Sequence, residues 1–226
     1  STHLLWSSGA LLLMSLVVNL KRGPWFGVVV TMVLLGLLVS RKIAVATVTL
    51  AILLLVLLAP ARHRLFNLVD DFTIGGGRQT LWSMGVELIT RFPLGLGSEN
   101  AKYMRELDPS LPFEHPHMHN NLLNVTVEAG WLGLTIYVWW IYLAIALGFS
   151  IWHRLRGNSR LLPIHMRLLA LCISCSLLGW QLAGMVEYNF GDGEVRLIAL
   201  FLMGLALCLE RVTPLVTQQQ TNEASQ

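Results

Sequence analysis

Three histidines stand at alternate positions in a short polar segment: His115, His117 and His119. In extended backbone alternate side chains share one face, so the three imidazoles are predicted to lie close together. A neutral imidazole accepts a proton near physiological pH, which favours a general base in this segment. Two alternatives remain open: a zinc site, which Pro116 and the lack of a fourth ligand disfavour, and histidines that cap the chain or sit at a membrane interface.

A polar stripe follows the histidines into an apolar part of the sequence. Asn120, Asn124 and Glu128 recur every four residues, a spacing that drifts by only about 40° per step around a helix. Polar groups in or near a membrane are costly and usually face a cavity or a partner. The stripe is therefore predicted to line the same site as His119, with hydrogen bonding between helices as the alternative.

The elements that must position these side chains are apolar helices. Of the 226 residues, 54% are hydrophobic and 13% are charged, and the mean hydropathy is +0.61, which excludes a soluble globular domain. The net charge of +3 gives no indication of a nucleic-acid partner. Six apolar runs have about the length of a membrane span: 4–20, 24–39, 43–59, 122–152, 168–186 and 195–209. The predicted fold class is an all-α integral membrane protein with about six transmembrane helices.

The charges in the connections predict the orientation of these helices. Arg41-Lys42 and residues 153–167 contain basic but no acidic residues, so the positive-inside rule places both in the cytoplasm. The chain then divides into three transmembrane helices in 1–59, a periplasmic loop in 60–119, three further transmembrane helices in 120–211, and a cytoplasmic tail in 212–226 whose polar composition predicts disorder.

The predicted periplasmic loop is long enough to have structure of its own. Within it, apolar residues recur at helical spacing, which predicts an amphipathic helix on the membrane surface that begins after Gly75-Gly76-Gly77 and ends before Pro93. These apolar residues are Leu81, Gly85, Leu88, Ile89 and Phe92. Arg78 falls in the first turn, where the helix dipole disfavours a cation but free backbone N–H groups favour an anion, so an anionic ligand is predicted there.

One basic pair does not follow the positive-inside rule, because Lys21-Arg22 falls on the outer side of the membrane. Either this pair contacts lipid phosphates, or one of its two cations binds an anion at the outer face. The pair Cys172 and Cys175 has the spacing of a redox motif, but it lies in an apolar run and is expected to serve packing only.

Four motifs stand in order along the chain: Arg22-Gly-Pro-Trp25, Gly77-Arg78-Gln-Thr-Leu-Trp82, Pro93-Leu-Gly-Leu-Gly97, and His117-Met-His119-Asn-Asn-Leu-Leu followed by Glu128-Ala-Gly130. In this order they resemble the O-antigen ligase/polymerase superfamily. The resemblance extends over about 4–209. The sequence departs from the family pattern at Lys21, where a small polar residue is common. It also lacks the upstream membrane helices that are expected of the family. We therefore expect this sequence to be the C-terminal part of a longer protein.

The resemblance implies a multi-pass glycosyltransferase of the bacterial inner membrane with its active site on the periplasmic face. The implied reaction transfers a glycan from undecaprenyl diphosphate to an acceptor hydroxyl, and ligation to lipid A core is the first expectation. The expected partners are the lipid-linked glycan, lipid A core or another glycan acceptor, and membrane lipids.

The motifs also assign roles to individual residues. Arg22 and Arg78 are expected to bind the diphosphate, and His119 to act as the catalytic base. Four further residues are expected to contribute to substrate binding: His117, Asn120, Asn124 and Glu128. No cofactor and no metal are expected, because guanidinium groups can neutralise a diphosphate leaving group.

Other functions remain open at this point. A polysaccharide polymerase or a protein O-oligosaccharyltransferase would use the same donor with a different acceptor. An anion transporter component would bind a small anion through the arginines and the polar stripe, although the sequence has no repeated pair of broken helices. The chain by itself is also compatible with an inactive fragment.

Overall fold

The computed structural model describes residues 2–19, 21–67, 77–112, 115–157 and 164–224. The structure is 82% helical, and the described residues contain no strand, which confirms the all-α class. The helices are α1 (Thr2–Asn19), α2 (Arg22–Val39), α3 (Arg41–Leu57), α4 (Ala59–Phe66), α5 (Arg78–Arg91), α6 (Met104–Leu107), α7 (Asn121–Gly157), α8 (Ile164–Ala183) and α9 (Gly193–Ala224), with a 3₁₀ turn at Asn100–Tyr103. Residues 158–163 of the predicted cytoplasmic connection lie outside the described residues.

Within the part of the chain that the structure describes, two helices are long and apolar enough to cross a membrane. They are the Asn121–Arg156 part of α7, with mean hydropathy 1.9, and α8, with mean hydropathy 1.5. The other apolar runs fall on α1, α2, α3 and α9, where large side chains such as Leu12, Leu57 and Phe201 are exposed. Exposed apolar side chains on these helices suit contact with lipid, and the count of six spans stays a prediction.

Helix α2 packs on α8 through glycines, which lets the two backbones approach closely. A Cβ atom at Gly179 would lie 1.9 Å from Thr31 Oγ1 and 2.7 Å from the Gly27 carbonyl oxygen. Small residues at a helix crossing are typical of membrane proteins, where close packing replaces the hydrophobic driving force between helices. This contact also carries the first turn of α2 to the end of α8, where Gly23 faces Glu187.

Helix α7 contains a break at Gly130, whose φ of 69° and ψ of −171° are accessible mainly to glycine. The carbonyl groups released by the break accept hydrogen bonds from the Pro93–Gly97 turn: Leu96 N donates to Val127 O and Gly97 N to Glu128 O, both at 2.8 Å. Added side chains would collide here, because a Cβ at Gly95 would lie 2.4 Å from Glu128 O. The glycine-rich motif is thus a tight turn that packs on the broken helix.

The amphipathic helix predicted in the loop is confirmed as α5, which begins after Gly77 and ends before Pro93. Gly75 and Gly76 of the predicted glycine turn lie outside the described residues. The apolar face of α5 packs within the protein instead of remaining free for lipid, because residues 100–112, residues 115–118 and α7 cover it. The buried members of this cluster are Leu81, Met84, Leu88, Ile89, Ala101, Met104, Leu111, Met118 and Val127.

An ion pair fixes the covering segment on α5. Asp108, whose side chain is 4% exposed, lies 2.5 Å from Arg91 at the end of α5. The Ser110 hydroxyl, together with the Arg91 charge, holds the pKa of Asp108 below its usual range despite the opposing effect of burial. The described segment that follows α5 is therefore packed against that helix.

The end of the chain differs from the expected disordered tail, because α9 continues as a helix to Ala224. Once a helix is formed, each further residue adds one backbone hydrogen bond, and Gln, Glu and Ala are good helix formers. The polar composition alone did not indicate this continuation.

Candidate functional site

Met118 fixes the histidine segment to the protein core. Its side chain is fully buried in the α5 cluster, its backbone N–H donates to Asn124 Oδ1 at 3.0 Å, and its carbonyl accepts a hydrogen bond from Trp82 Nε1 at 3.0 Å. His119 follows with φ of 47°, a left-handed conformation that histidine tolerates better than most residues. The anchored methionine therefore leaves the flanking His117 and His119 to face the site.

Asparagines connect the start of α7 to the turn after α8. Asn120 Oδ1 accepts from Leu123 N at 3.0 Å as an N-cap, and its Nδ2 donates to Met185 O at 2.9 Å. Asn121 Nδ2 donates to Asn189 Oδ1 at 2.7 Å, and Asn121 Oδ1 accepts a hydrogen bond from Phe190 N. These buried contacts hold the turn of residues 184–190 against the histidine segment.

Glu187, in that turn, connects two of the predicted site residues. Its Oε1 lies 2.7 Å from His119 Nδ1, and its Oε2 lies 3.9 Å from an Arg78 guanidinium nitrogen. All three side chains are between 25% and 28% exposed, so they are sheltered but open to a ligand. Arg78 and Trp82 share one face of α5, and the Trp82 contact with Met118 explains why Arg78 lies beside this segment.

The electrostatics of the site favour an ionised Glu187 carboxylate and a neutral His117 imidazole. The hydrogen bond from His119, together with the charges of His119 and Arg78, holds the pKa of Glu187 below its usual range. Burial and the neighbouring imidazoles lower the pKa of His117 to about 4, and burial lowers the pKa of His115 as well. His117 is therefore neutral at physiological pH.

The three histidines lie together, as the alternation in the sequence predicted. The ring centroids of His117 and His119 are 4.3 Å apart, and His115 lies 4.9 Å from His119 and 5.2 Å from His117. One nitrogen from each ring lies within 4.8 Å of the others, so the cluster has the composition and proximity of a three-histidine metal site.

The remaining predicted site residues on α7 differ in their burial and in their contacts. Asn120 and Asn124 are buried and bind the chain's own backbone, whereas Glu128 is half-buried. Burial raises the pKa of Tyr188 to about 12, and the Glu128 charge adds to that shift. Tyr188 also contacts His117, with ring centroids 5.5 Å apart.

The predicted arginine at the start of α2 lies near the turn of residues 184–190. Arg22 is the first residue of α2, and its side chain lies outside the described residues. Its neighbour Gly23 contacts Glu187, because a Cβ at Gly23 would lie 3.4 Å from Glu187 Cβ. The backbone of Arg22 is thereby brought to the turn that carries Glu187.

A cavity of about 530 Å³ lies between α2, α8 and the start of α9. Glu187, Asn189 and Lys21 line its polar end, while Val28, Met32 and Trp180 line its apolar part. Asp192 also lines the polar end, so the cavity combines an apolar groove between α2 and α8 with a charged opening at the site. Such a shape suits an amphiphilic ligand.

The sequence analysis did not identify Glu187 as a site residue. No local spacing connects Glu187 to His119, which is 68 positions away. One signal was present: Glu187, Tyr188 and Asn189 follow an apolar run and fall on the same predicted side of the membrane as the histidines. Polar residues at the end of a membrane-length apolar run indicate a functional site and not only a connection between helices.

The fold and the site define an all-helical protein with membrane-length helices, in which a carboxylate, an arginine and a histidine meet beside an apolar cavity. Comparison with known families matches residues 8–138 to the O-antigen ligase family. The chain belongs to this family, which confirms the resemblance of its motifs. The match includes Arg22, Arg78 and the histidine segment, and it ends before Glu187. A search of curated proteins found no match.

Proposed function

We propose that this protein is an inner-membrane glycosyltransferase that transfers a glycan from undecaprenyl diphosphate to an acceptor hydroxyl. Membership of the O-antigen ligase family supports glycosyl transfer with lipid-linked glycans. The observation that carries the catalytic assignment is the 2.7 Å contact of His119 Nδ1 with Glu187, beside Arg78. Ligation to lipid A core is the reaction we favour.

In this mechanism His119 is the general base. Donation of the Nδ1 hydrogen to Glu187 fixes the tautomer in which Nε2 has a free lone pair, and that nitrogen takes the proton of the acceptor hydroxyl. The carboxylate then stabilises the imidazolium that forms, as the carboxylate of a catalytic triad does for its histidine. The acceptor oxygen forms its bond to the anomeric carbon as the bond to the diphosphate oxygen breaks, which inverts the anomeric configuration.

Arg78 and Arg22 are assigned to the diphosphate leaving group. Negative charge grows on the diphosphate oxygen as the glycosidic bond breaks, and a guanidinium group can neutralise it through parallel hydrogen bonds. Arg78 carries five N–H donors, so it can bind a diphosphate while it remains near Glu187. Two arginines can supply the charge that a metal ion supplies in other enzymes, so no metal is assigned to the reaction.

The cavity between α2 and α8 is assigned to the first isoprene units of the donor. Its apolar lining suits a polyprenyl chain, and its polar end lies at Glu187. We place this end at the periplasmic face of a multi-pass protein with six transmembrane helices. His117 and Glu128 are assigned to glycan contacts, while the buried hydrogen bonds of Asn120 and Asn124 support a positioning role in addition to the predicted one.

Complementation tests this proposal with the full-length gene in cells that lack their own O-antigen ligase. Native protein is expected to restore polymer on lipopolysaccharide, and His119→Ala at equal membrane abundance is expected to abolish it. His153→Ala, which changes an exposed histidine near the far end of α7, is the matched control and should behave like native protein.

The products also separate the related functions. A ladder of lengthening lipid-linked chains would indicate a polymerase, and glycan on protein would indicate a protein O-oligosaccharyltransferase. Normal ligation by His119→Ala would exclude the base role. Anion flux in proteoliposomes without glycosyl transfer would favour a transporter component instead.

A further inference from the structure

The histidine cluster contains more ligand groups than a single general base requires. His115 and His117 stand within contact distance of His119, and one nitrogen of each ring lies within 4.8 Å of the others. Imidazole nitrogen is a preferred ligand of Zn²⁺ and of other borderline divalent cations. The position of His115 in particular has no use in the proposed transfer reaction.

Hydrogen bonds indicate which ring nitrogens of His115 and His119 keep a lone pair. His115 Nδ1 lies 2.6 Å from the His117 carbonyl oxygen, so this nitrogen carries the hydrogen and Nε2 has the lone pair. His119 Nδ1 is held in the same way by the Glu187 carboxylate. A metal-binding histidine usually donates its other N–H to a carboxylate or a backbone carbonyl, and both types of partner are present.

The spacing of the rings is close to that of a bound metal. Tetrahedral zinc with metal–nitrogen bonds of about 2.1 Å holds its ligand nitrogens roughly 3.4 Å apart. The ligand atoms here lie within 4.8 Å, so small rotations of the rings complete the coordination. The three side chains are partly exposed, which leaves a fourth position for water.

We propose that His115, His117 and His119 bind a borderline divalent cation, best matched by Zn²⁺, and that the bound ion inhibits glycosyl transfer. The lone pair of His119 Nε2 can bind a metal or accept a proton, but not both. The ion therefore competes with the base function, which makes the site an inhibitory one and not a cofactor site. The inhibitory effect rests on the proposed function, whereas the binding of the ion does not.

Direct binding measurements test the site without reference to activity. The full-length protein, purified in detergent without a polyhistidine tag and stripped with a chelator, is titrated with Zn²⁺ by calorimetry and with Co²⁺ by visible absorption. Native protein is expected to bind one ion and to give the intense absorption of low-coordinate Co²⁺. The loss of a direct ligand should weaken binding at least about tenfold, since changes of outer partners alone cost 10- to 100-fold.

His115→Asn is the informative variant because its amide can keep the donor contact with the His117 carbonyl while it lacks Nε2. His115→Ala is the second variant, and His153→Ala is the control. Both His115 variants are expected to bind Zn²⁺ at least about tenfold more weakly, to retain transfer without metal, and to resist inhibition by Zn²⁺. Equal affinity in native protein and His115→Asn would refute the site.

A variant-free readout uses the modification of His119 by diethyl pyrocarbonate, followed by mass spectrometry. The rate of His119 modification is expected to fall in proportion to the fraction of sites that hold Zn²⁺. The rate of His153 modification is expected to stay unchanged. Unchanged modification of His119 at saturating Zn²⁺, or faster transfer in its presence, would overturn the proposal. Zinc binding and protection of His119 without any transfer in metal-free native protein would count against the proposed function and not against the metal site.

Discussion

Replacement of Glu187 separates the two effects that this carboxylate is proposed to have on His119. Glu187→Gln keeps an oxygen that can accept the Nδ1 hydrogen but removes the negative charge. Glu187→Ala removes both the acceptor and the charge. Because Glu187 lies in a turn and not in the packed core, both variants are expected to fold.

The expected magnitude follows from the 2.7 Å contact and its exposure. A hydrogen bond with a charged partner contributes about 1.5–3 kcal/mol, against about 0.5–1.5 kcal/mol for a neutral pair. The difference of about 1 kcal/mol acts on the imidazolium formed in the transition state, and partial exposure of the pair reduces it through solvent screening. Glu187→Gln should therefore lower kcat about 3- to 10-fold. Glu187→Ala, which also frees the ring, should lower kcat roughly 10²-fold.

The assay measures transfer from lipid-linked glycan to lipid A core with purified full-length protein over a range of donor concentrations up to saturation. The donor KM is expected to stay within about threefold, because the carboxylate acts on the base and not on the diphosphate. Glu194→Gln, an exposed carboxylate at the start of α9, is the matched control. If both Glu187 variants retain kcat within about twofold of native protein, the orienting role of this residue is refuted.

Three further predictions concern the architecture around the site, and detergent-solubilised protein can test each by thermal unfolding. Gly130→Ala should destabilise by about 1–3 kcal/mol because φ is 69° and its Cβ would lie 2.4 Å from the Pro93 carbonyl oxygen; Gly204→Ala, where nothing lies within 4 Å, should show no loss. Gly179→Ala should lower the unfolding temperature and reduce transfer, since α2 must separate from α8, and an unchanged temperature would contradict the close helix crossing. The pKa of Asp108 is lower in the folded state than its usual 3.8, so its stabilising contribution is present above that pH and is lost as the pH falls through the folded value. The unfolding temperatures of native protein and Asp108→Asn should therefore differ at pH 6, begin to approach each other near the usual pKa of 3.8, and converge only below the lower folded-state pKa; a constant difference would exclude this linkage.

The site depends on a few packed contacts that lie outside the chemistry itself. Met118 is buried beneath the histidines, and the hydrogen bond from Trp82 brings the first turn of α5 to the same place. The asparagine contacts with residues 184–190 then position Glu187. The reactive groups are therefore positioned by side chains that a catalytic mechanism alone would not identify.

The sequence by itself determined the helices and the residues that carry the family motifs. Long apolar runs predicted the membrane-length helices, and the spacing of Leu81, Leu88 and Ile89 predicted α5. This success has a physical reason: helical hydrogen bonds join residues four positions apart, so local composition and periodicity suffice. The alternation of His115, His117 and His119 likewise predicted their proximity, since their spacing is also local.

Only the tertiary structure decided which distant groups complete the site. Glu187 reaches His119 across 68 positions because α7 and α8 pack together, and the asparagines hold the intervening turn. The apolar face of α5 was predicted to meet the membrane surface, but it packs against Ala101, Met104, Leu111 and Met118. Periodicity predicts that one face of a helix is apolar. Which surface covers that face depends on how separate elements pack together, and no local sequence pattern encodes such a contact.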